Sequence, residues 1–250
     1  MSRIEWDKTS ERIYETGTSN GVLYVYDSAT SKYGEGVGWN GLTAVTENPS
    51  GAEPTALWAD NIKYLTLMSA EEFGCTIEAY TYPDAFEECD GSAALTDGVY
   101  VRQQTRKTFA FCYRTEVGND TDGNDHGYKI HIVYGCLASP SSKNYTTIND
   151  SPEAIQFSWE VTTTPVTVPD MTIGGVLTKF KPTAYVEVDS TKLTSAQKTG
   201  NYLSKLEGYL YGTDAGSGVT EIKPTLLMPD EVAQIMTSGA LTGAAQNAVA

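Results

Sequence analysis

Residues 155–162 alternate apolar and polar side chains without a fault. Ile155, Phe157, Trp159 and Val161 interleave with Gln156, Ser158, Glu160 and Thr162. Successive side chains of a strand point to opposite faces, so this period of two predicts a strand with one buried face and excludes an amphipathic helix. The same period recurs in residues 108–113, where Phe109, Phe111 and Tyr113 share a side, and in residues 129–137, where Ile130, Ile132, Tyr134 and Cys136 do. Residues 75–82, 184–188 and, more briefly, 22–26 repeat it. Residues 163–169 extend the 155–162 strand, and Pro165 and Pro169 mark an edge or an exit. Between Tyr113 and Lys129 lies a run rich in Gly, Asn and Asp, including Asp120, Asp122 and Asp125. Such residues tolerate left-handed backbone angles, which predicts a hairpin tip and the pairing of 108–116 with 128–137. A mainly β, antiparallel fold is expected.

Helical signals concentrate near the end. Thr194 and Gln197 stand at capping-box spacing, and Tyr202, Leu203, Leu206, Tyr209 and Leu210 fall on one helical face. Pro229 suits a first helical turn, followed by the short stripe Val232, Ile235 and Met236. From Gly239 to Ala250 the residues are small and weakly hydrophobic, which predicts a flexible tail or one that orders on a neighbour. Weaker helix or turn signals fall at 69–73 and 83–89. The expected organisation is a β domain over 1–190 and a helical segment over 191–250, packed on that domain or part of it.

One connection is out of scale. Residues 36–46 and 62–68 are β-type runs, and between them stands a polar insert over 47–59. The insert holds Glu47, Asn48, Pro49, Glu53, Pro54, Leu57 and Trp58. A tight hairpin needs only two to five connecting residues. A longer connection that still carries a tryptophan is either disordered or functional.

Charge and motifs narrow the function classes. Lys and Arg number 17 against 32 Asp and Glu, a net charge of −15. That argues against tight nucleic-acid binding, because phosphate contacts need Lys and Arg. The first residues carry no apolar secretory core, and no run of 18 apolar residues exists to span a membrane. The four cysteines, Cys75, Cys89, Cys112 and Cys136, are scattered and predict free thiols in a reducing compartment, with no metal site. The acidic run from Asp120 fails the calcium-loop pattern, since Asp125 stands where a Gly belongs and His131 where a Glu belongs. His126 and His131 are the only histidines, and no nucleophile elbow or metal-protease motif accompanies them. Gly34, Gly36 and Gly38 lack the strand, helix and Lys of a phosphate loop, and Glu71-Glu72 and Glu87-Glu88 are sequence neighbours that point different ways. No enzymatic activity, cofactor or metal is expected. Sixteen tyrosines fit either an interface or a strand-rich core.

The order of several short pieces resembles a known family. These are Gly38-Trp39-Asn40-Gly41-Leu42-Thr43-Ala44-Val45-Thr46-Glu47, the 49–59 insert with Ala59-Asp60-Asn61, and Ser69-Ala70-Glu71-Glu72-Phe73-Gly74. Gln104-Thr105-Arg106-Lys107, Gly118-Asn119-Asp120 and Asn149-Asp150-Ser151-Pro152-Glu153-Ala154-Ile155 complete the set. Together they resemble the major tail proteins, or tail tube proteins, of phages and prophages with long non-contractile tails, over most of residues 1–190. The resemblance implies a β-sandwich or partial barrel with a flanking helix. It also implies assembly into hexameric rings that stack into a tube through which DNA passes without specific binding. The location it implies is the virion tail, assembled in the bacterial host cytoplasm, with tape-measure, terminator and distal tail or baseplate proteins as further partners and no membrane. By position, Glu47, Asn48, Pro49, Glu53, Pro54, Leu57 and Trp58 would then contact the adjoining ring. The sequence departs from the pattern where relatives place a central helix, since 83–89 is a weak match. A different class stays open: a carbohydrate- or receptor-binding β-sandwich of a phage tail or adhesin, its tyrosines lining a sugar platform.

Overall fold

The structure is a computed structural model that describes residues 3–148, 150, 153–173, 176–216, 221–243 and 245–247. Asn149, Ser151 and Pro152 of the family-like run and Ala244 and Ala248–Ala250 of the small-residue tail lie outside the described residues. The fold is mainly β with a few helices, and a nine-stranded antiparallel sheet is its centre. Its strands are β1 (Ile13–Asp27), β2 (Lys32–Tyr33), β3 (Val37–Trp39), β4 (Leu42–Glu47), β5 (Gly74–Ala79), β6 (Phe109–Asn119), β7 (Gly123–Ala138), β8 (Phe157–Thr163) and β9 (Tyr185–Asp189). They run in the order β2-β1-β6-β7-β8-β5-β4, with β3 also on β1 and β9 also on β7.

The expected hairpin forms in register. Glu116 faces Tyr128 and Phe109 faces Cys136, and the chain reverses over residues 120–122. Along the edge away from β6, strand β7 serves two partners. Lys129–Val133 of β7 pairs with β9, whereas Cys136–Ala138 pairs with β8. The exchange falls at Gly135, whose φ is 59° and whose carbonyl accepts from the Thr164 amide at 2.9 Å. A Cβ there would collide with the Thr164 carbonyl oxygen, so this switch requires glycine.

Both faces are buried over residues 21–24 of β1, 109–113 of β6 and 130–136 of β7, which explains the nearly continuous apolar runs there. On one face Tyr24, Cys112, Ile130, Ile132 and Tyr134 pack under Leu203, Leu206, Leu210, Val232 and Ile235. These come from α2 (Tyr202–Tyr211) and α3 (Pro229–Ser238). Buried hydroxyls pin the cover: Tyr24 donates to the Leu210 carbonyl at 2.6 Å and Tyr134 to the Leu227 carbonyl at 2.8 Å. On the opposite face Leu23, Phe109, Phe111 and Val133 meet Ile77, Trp159, Trp39 and Phe86. Trp39 and Trp159 each pack against Phe86, at centroid distances of 4.6 and 5.0 Å. β3 pairs with β1 and turns at Gly41 (φ 76°) directly into β4, so the sheet curls back on itself as a partial barrel around this aromatic core.

Several expectations are corrected. The 22–26 strand is part of a fifteen-residue β1. Strand β8 begins at Phe157 and ends at Thr163, so Ile155 lies outside it and beyond Thr163 only Val166 makes an isolated bridge, to Thr183. The Thr194 cap forms with both bonds, but it opens only α1 (Ser195–Thr199). Asn201, at φ 52°, breaks the chain before α2. Residues 69–73 are not helical, because Glu71–Glu72 pairs with Ser50–Gly51. The helix or turn expected at 83–89 is present, as the 3₁₀ turn Asp84–Phe86 followed by turn residues 87–90. Ala245 and Asn247 of the tail are buried, and Asn247 bridges the Tyr33 amide and the Leu226 carbonyl at 3.1 Å each. Leu203, Leu206, Leu210, Val232, Ile235 and Ala245 of the segment after residue 190 pack into one of the two cores.

Candidate assembly surface

The 47–59 insert is not a loop. Pro54–Ala59 pairs antiparallel with Ile62–Met68, so the long insert and the run after it are the two strands of one arm. Asp60 and Asn61 make its turn, with φ of 51° and 62°, the left-handed pair that a two-residue turn with strand-matched twist requires. At the base, Ser50–Gly51 pairs with Glu71–Glu72. The Asn48 amide donates to the Gly74 carbonyl at 2.8 Å, and its side chain donates to the Thr76 hydroxyl at 2.9 Å. Glu47 roots the arm in the core by accepting from the buried Tyr113 hydroxyl at 3.2 Å.

None of the side chains from 54 to 68 is buried. Leu57, Trp58, Ile62, Tyr64, Leu65, Leu67 and Met68 all stand exposed, Trp58 to 70% of its surface. Leu57 faces Leu65 across the ladder and Pro54 faces Met68, neighbouring pairs that bring apolar groups to both faces of the arm. A solitary two-stranded hairpin is marginal in water, and a contiguous apolar surface marks an interaction site. Of the residues singled out in sequence, Leu57 and Trp58 lie on this surface, with Pro54 on its first strand. Glu47, Asn48 and Pro49 form its root, and Glu53 leads into its first strand. The run at 62–68 is the strand expected there; what was missed is its partner Pro54–Ala59, although an Asp-Asn pair ahead of a β-type run is a legible hairpin signal.

A second apolar feature faces elsewhere. Val168, Met171, Phe180, Pro182, Val186, Pro229, Val232 and Ala233 line an open groove of about 520 Å³, with Lys181 among them. It lies between α3 and the chain that leads into β9, and no sequence pattern announces it.

The remaining candidates have structural employment. Asp120 accepts from the Ser10 amide at 2.9 Å, and Asp122 holds Asn119 at 3.1 Å and His126 at 3.3 Å. They therefore shape the β6–β7 tip and tether the N-terminal segment; Asp125 only extends the turn, its amide bonding to the Asp122 carbonyl at 3.3 Å. Among the described residues, no three His, Cys, Asp or Glu side chains are placed to hold a metal. His131 is stacked on Tyr113 at 4.5 Å, with Nδ1 2.6 Å from the Tyr185 hydroxyl and Nε2 2.7 Å from the Thr115 hydroxyl. Burial lowers its pKa, and the carboxylates of Glu15, Glu187 and Glu47 pull the other way. Thr115 donates its proton to Glu15 at 2.6 Å, so the Thr115 hydroxyl does not give its proton to His131. All four cysteines are free and buried, and burial pushes Cys75, Cys89 and Cys112 up to about 12, far from a reactive thiolate.

Among the described residues no helix is long and apolar enough to cross a membrane. Comparison with protein-family models finds no match, and no curated protein matches the chain.

Proposed function

We propose that this chain is a structural subunit that assembles with copies of itself into stacked, hexameric rings, the tube of a non-contractile phage tail, and that it has no enzymatic activity. The exposed apolar arm of Pro54–Ala59 and Ile62–Met68 is the observation that carries the reading. An isolated monomer gains nothing from such an arm and exposes its edges to uncontrolled pairing. In an assembly the same surface is buried against a neighbour. The groove beside α3 is a different patch, and an arm meeting a groove is a heterologous contact, the kind that closes rings and extends stacks. The net charge of −15 suits a conduit, since carboxylates repel DNA phosphates and few cations mean little counterion release to hold them. Terminator, tape-measure and distal tail or baseplate proteins would meet the ends of such a tube in the virion.

The sugar-platform alternative is less well supported. Tyr24, Tyr33, Tyr113 and Tyr134 are buried, and the exposed Tyr14, Tyr64, Tyr80, Tyr100 and Tyr145 stand on separate segments. The decisive experiment removes the arm while keeping its root. Residues 49–73 are replaced by a two-residue turn, which Asn48 and Gly74 are close enough to accept. Electron microscopy should find tubes or rings of the full chain and only folded monomers of the deletion. Tubes formed by the deletion, or a full chain that stays monomeric at every concentration and salt, would overturn the proposal.

A further inference from the structure

Asp90 follows the 3₁₀ turn and is almost wholly enclosed, its side chain 6% exposed. Three cations reach it from different segments: Lys143 at 2.8 Å, Arg106 at 3.5 Å and Arg102 at 3.7 Å. One carboxylate against three cations leaves two positive charges over, in a chain whose total is strongly negative. No other carboxylate answers them among the described residues. Glu88 pairs with Lys107 at 2.6 Å, and Glu87 makes no ion pair with any of the three. Lys143 is itself only 11% exposed, and its ammonium lies over the rings of Tyr82 and Phe157 at 5.1 and 5.4 Å. Aromatic faces hold a cation without neutralising it, and buried charge is costly unless it is partnered.

The donors are also under-used. Among the described residues Arg106 employs only Nη1, on the carbonyls of Cys89 at 3.3 Å and Ala138 at 3.1 Å and on Asp90. The Arg102 guanidinium makes no hydrogen bond among the described residues beyond its ion pair. A guanidinium carries five N–H groups in a planar fork, so most of these donors have no acceptor among the described residues. All three cations line one cleft of about 650 Å³, together with Gln103, held at φ 65°, and Ser141, whose buried hydroxyl has no partner among the described residues. Non-glycine residues in the left-handed region are uncommon and cluster where local geometry serves a purpose.

We infer that this cleft is an oxyanion site, which takes a phosphate or carboxylate group between the forks of Arg102 and Arg106 and the ammonium of Lys143. Asp90 is the positioning residue that gathers the three cations and keeps them from collapsing onto other partners. The cleft shares no residue with the apolar arm or with the groove beside α3, so the inference stands or falls independently of assembly. The test titrates the full chain with inorganic phosphate at constant ionic strength, by calorimetry and phosphorus NMR line width, and then with succinate. Saturable binding of one phosphate per chain is expected, weakened roughly tenfold or more in Arg102→Gln, which removes the charge-assisted bonds of a half-exposed guanidinium. Lys63→Gln, which removes the same charge from the arm, should leave binding unchanged. Displacement of phosphate by succinate would support a site for either oxyanion, and indifference to succinate a site for phosphate. Absence of saturable binding, an unaltered Arg102→Gln variant, or equal weakening by Lys63→Gln overturns the inference.

Discussion

Replacing Trp58 with serine separates the arm's role in association from any role in folding. The side chain is 70% exposed and belongs to neither core cluster. Its removal should therefore leave the stability of the dispersed chain within about 0.5 kcal/mol, the ordinary range for surface substitutions. In a docked arm the account differs. A tryptophan buries about 150–250 Å², and with 70% still open roughly 110–175 Å² remains for a partner to cover. At about 25 cal/mol per Å² this corresponds to about 3–4 kcal/mol for each fully covered arm. Every 1.4 kcal/mol is tenfold in affinity, so the critical concentration for assembly should rise roughly a hundredfold to a thousandfold. Sedimentation and negative-stain microscopy across a concentration series measure that shift, and thermal unfolding of the monomer supplies the control. Equal critical concentrations for the variant and the parent would refute the reasoning. So would a lowered unfolding temperature of the monomer, because it would assign Trp58 to the chain's own fold.

Three further outcomes follow from the core. Gly135→Ala places a Cβ against the Thr164 carbonyl at φ 59° and should destabilise the chain by about 2 kcal/mol or more in denaturant unfolding, a value near zero indicating that β7 changes partners elsewhere. His131 has a folded-state pKa below its unfolded value, chiefly through burial. The unfolded chain therefore binds the extra proton, and stability present above about pH 6.5 falls as the pH drops through and below that value; His131→Gln should flatten this slope in unfolding curves taken between pH 7.5 and 5.5. The four buried thiols should resist a thiol reagent at pH 8 and react together only in denaturant, and rapid labelling of the native chain would contradict their burial.

Much of the sheet was legible because double burial leaves a plain signature. Phe109, Phe111 and Tyr113 alternate with Ala110 and Cys112, and each set enters a different core. The Gly–Asn–Asp tip between β6 and β7 and the Thr194 cap are local chemistry, read correctly from a few adjacent residues. What escaped depends on partners distant in sequence. Residues 62–68 look like a core strand because their side chains are apolar, and only the ladder to Pro54–Ala59 reveals that they face outward. The long β1 was hidden because Thr16, Gly17 and Asn20 interrupt the apolar period where the strand bulges against β6. The acidic tip residues were identified as a turn, but their hold on Ser10 was not, since that bond spans 110 residues. The cationic cleft gathers Arg102, Arg106 and Lys143 from segments with no shared motif, so no spacing could disclose it.

The arm leaves the core at Glu47 and Asn48, whose contacts with Tyr113, Thr76 and Gly74 join it to the sheet, and this bears on how any assembly is controlled. Glu47 ends β4 beside the point where the arm leaves, and it accepts from Tyr113 while its charge raises the pKa of Tyr185, after burial, which dominates. Tyr113 stacks on His131, and His131 contacts Tyr185 and Thr115, so the root is braced by a polar network within the barrel. Such networks are stiff when each member is satisfied. A stiff root lowers the entropy lost when the arm docks, the same advantage that preorganisation confers on any binding loop. Tyr113→Phe tests this directly, because it removes one bond at the root and changes no atom of the arm's surface. It should weaken assembly while the deletion of Trp58's ring abolishes it at matched concentration. If Tyr113→Phe assembles like the parent chain, the arm's direction is set by its own ladder and not by the core beneath it.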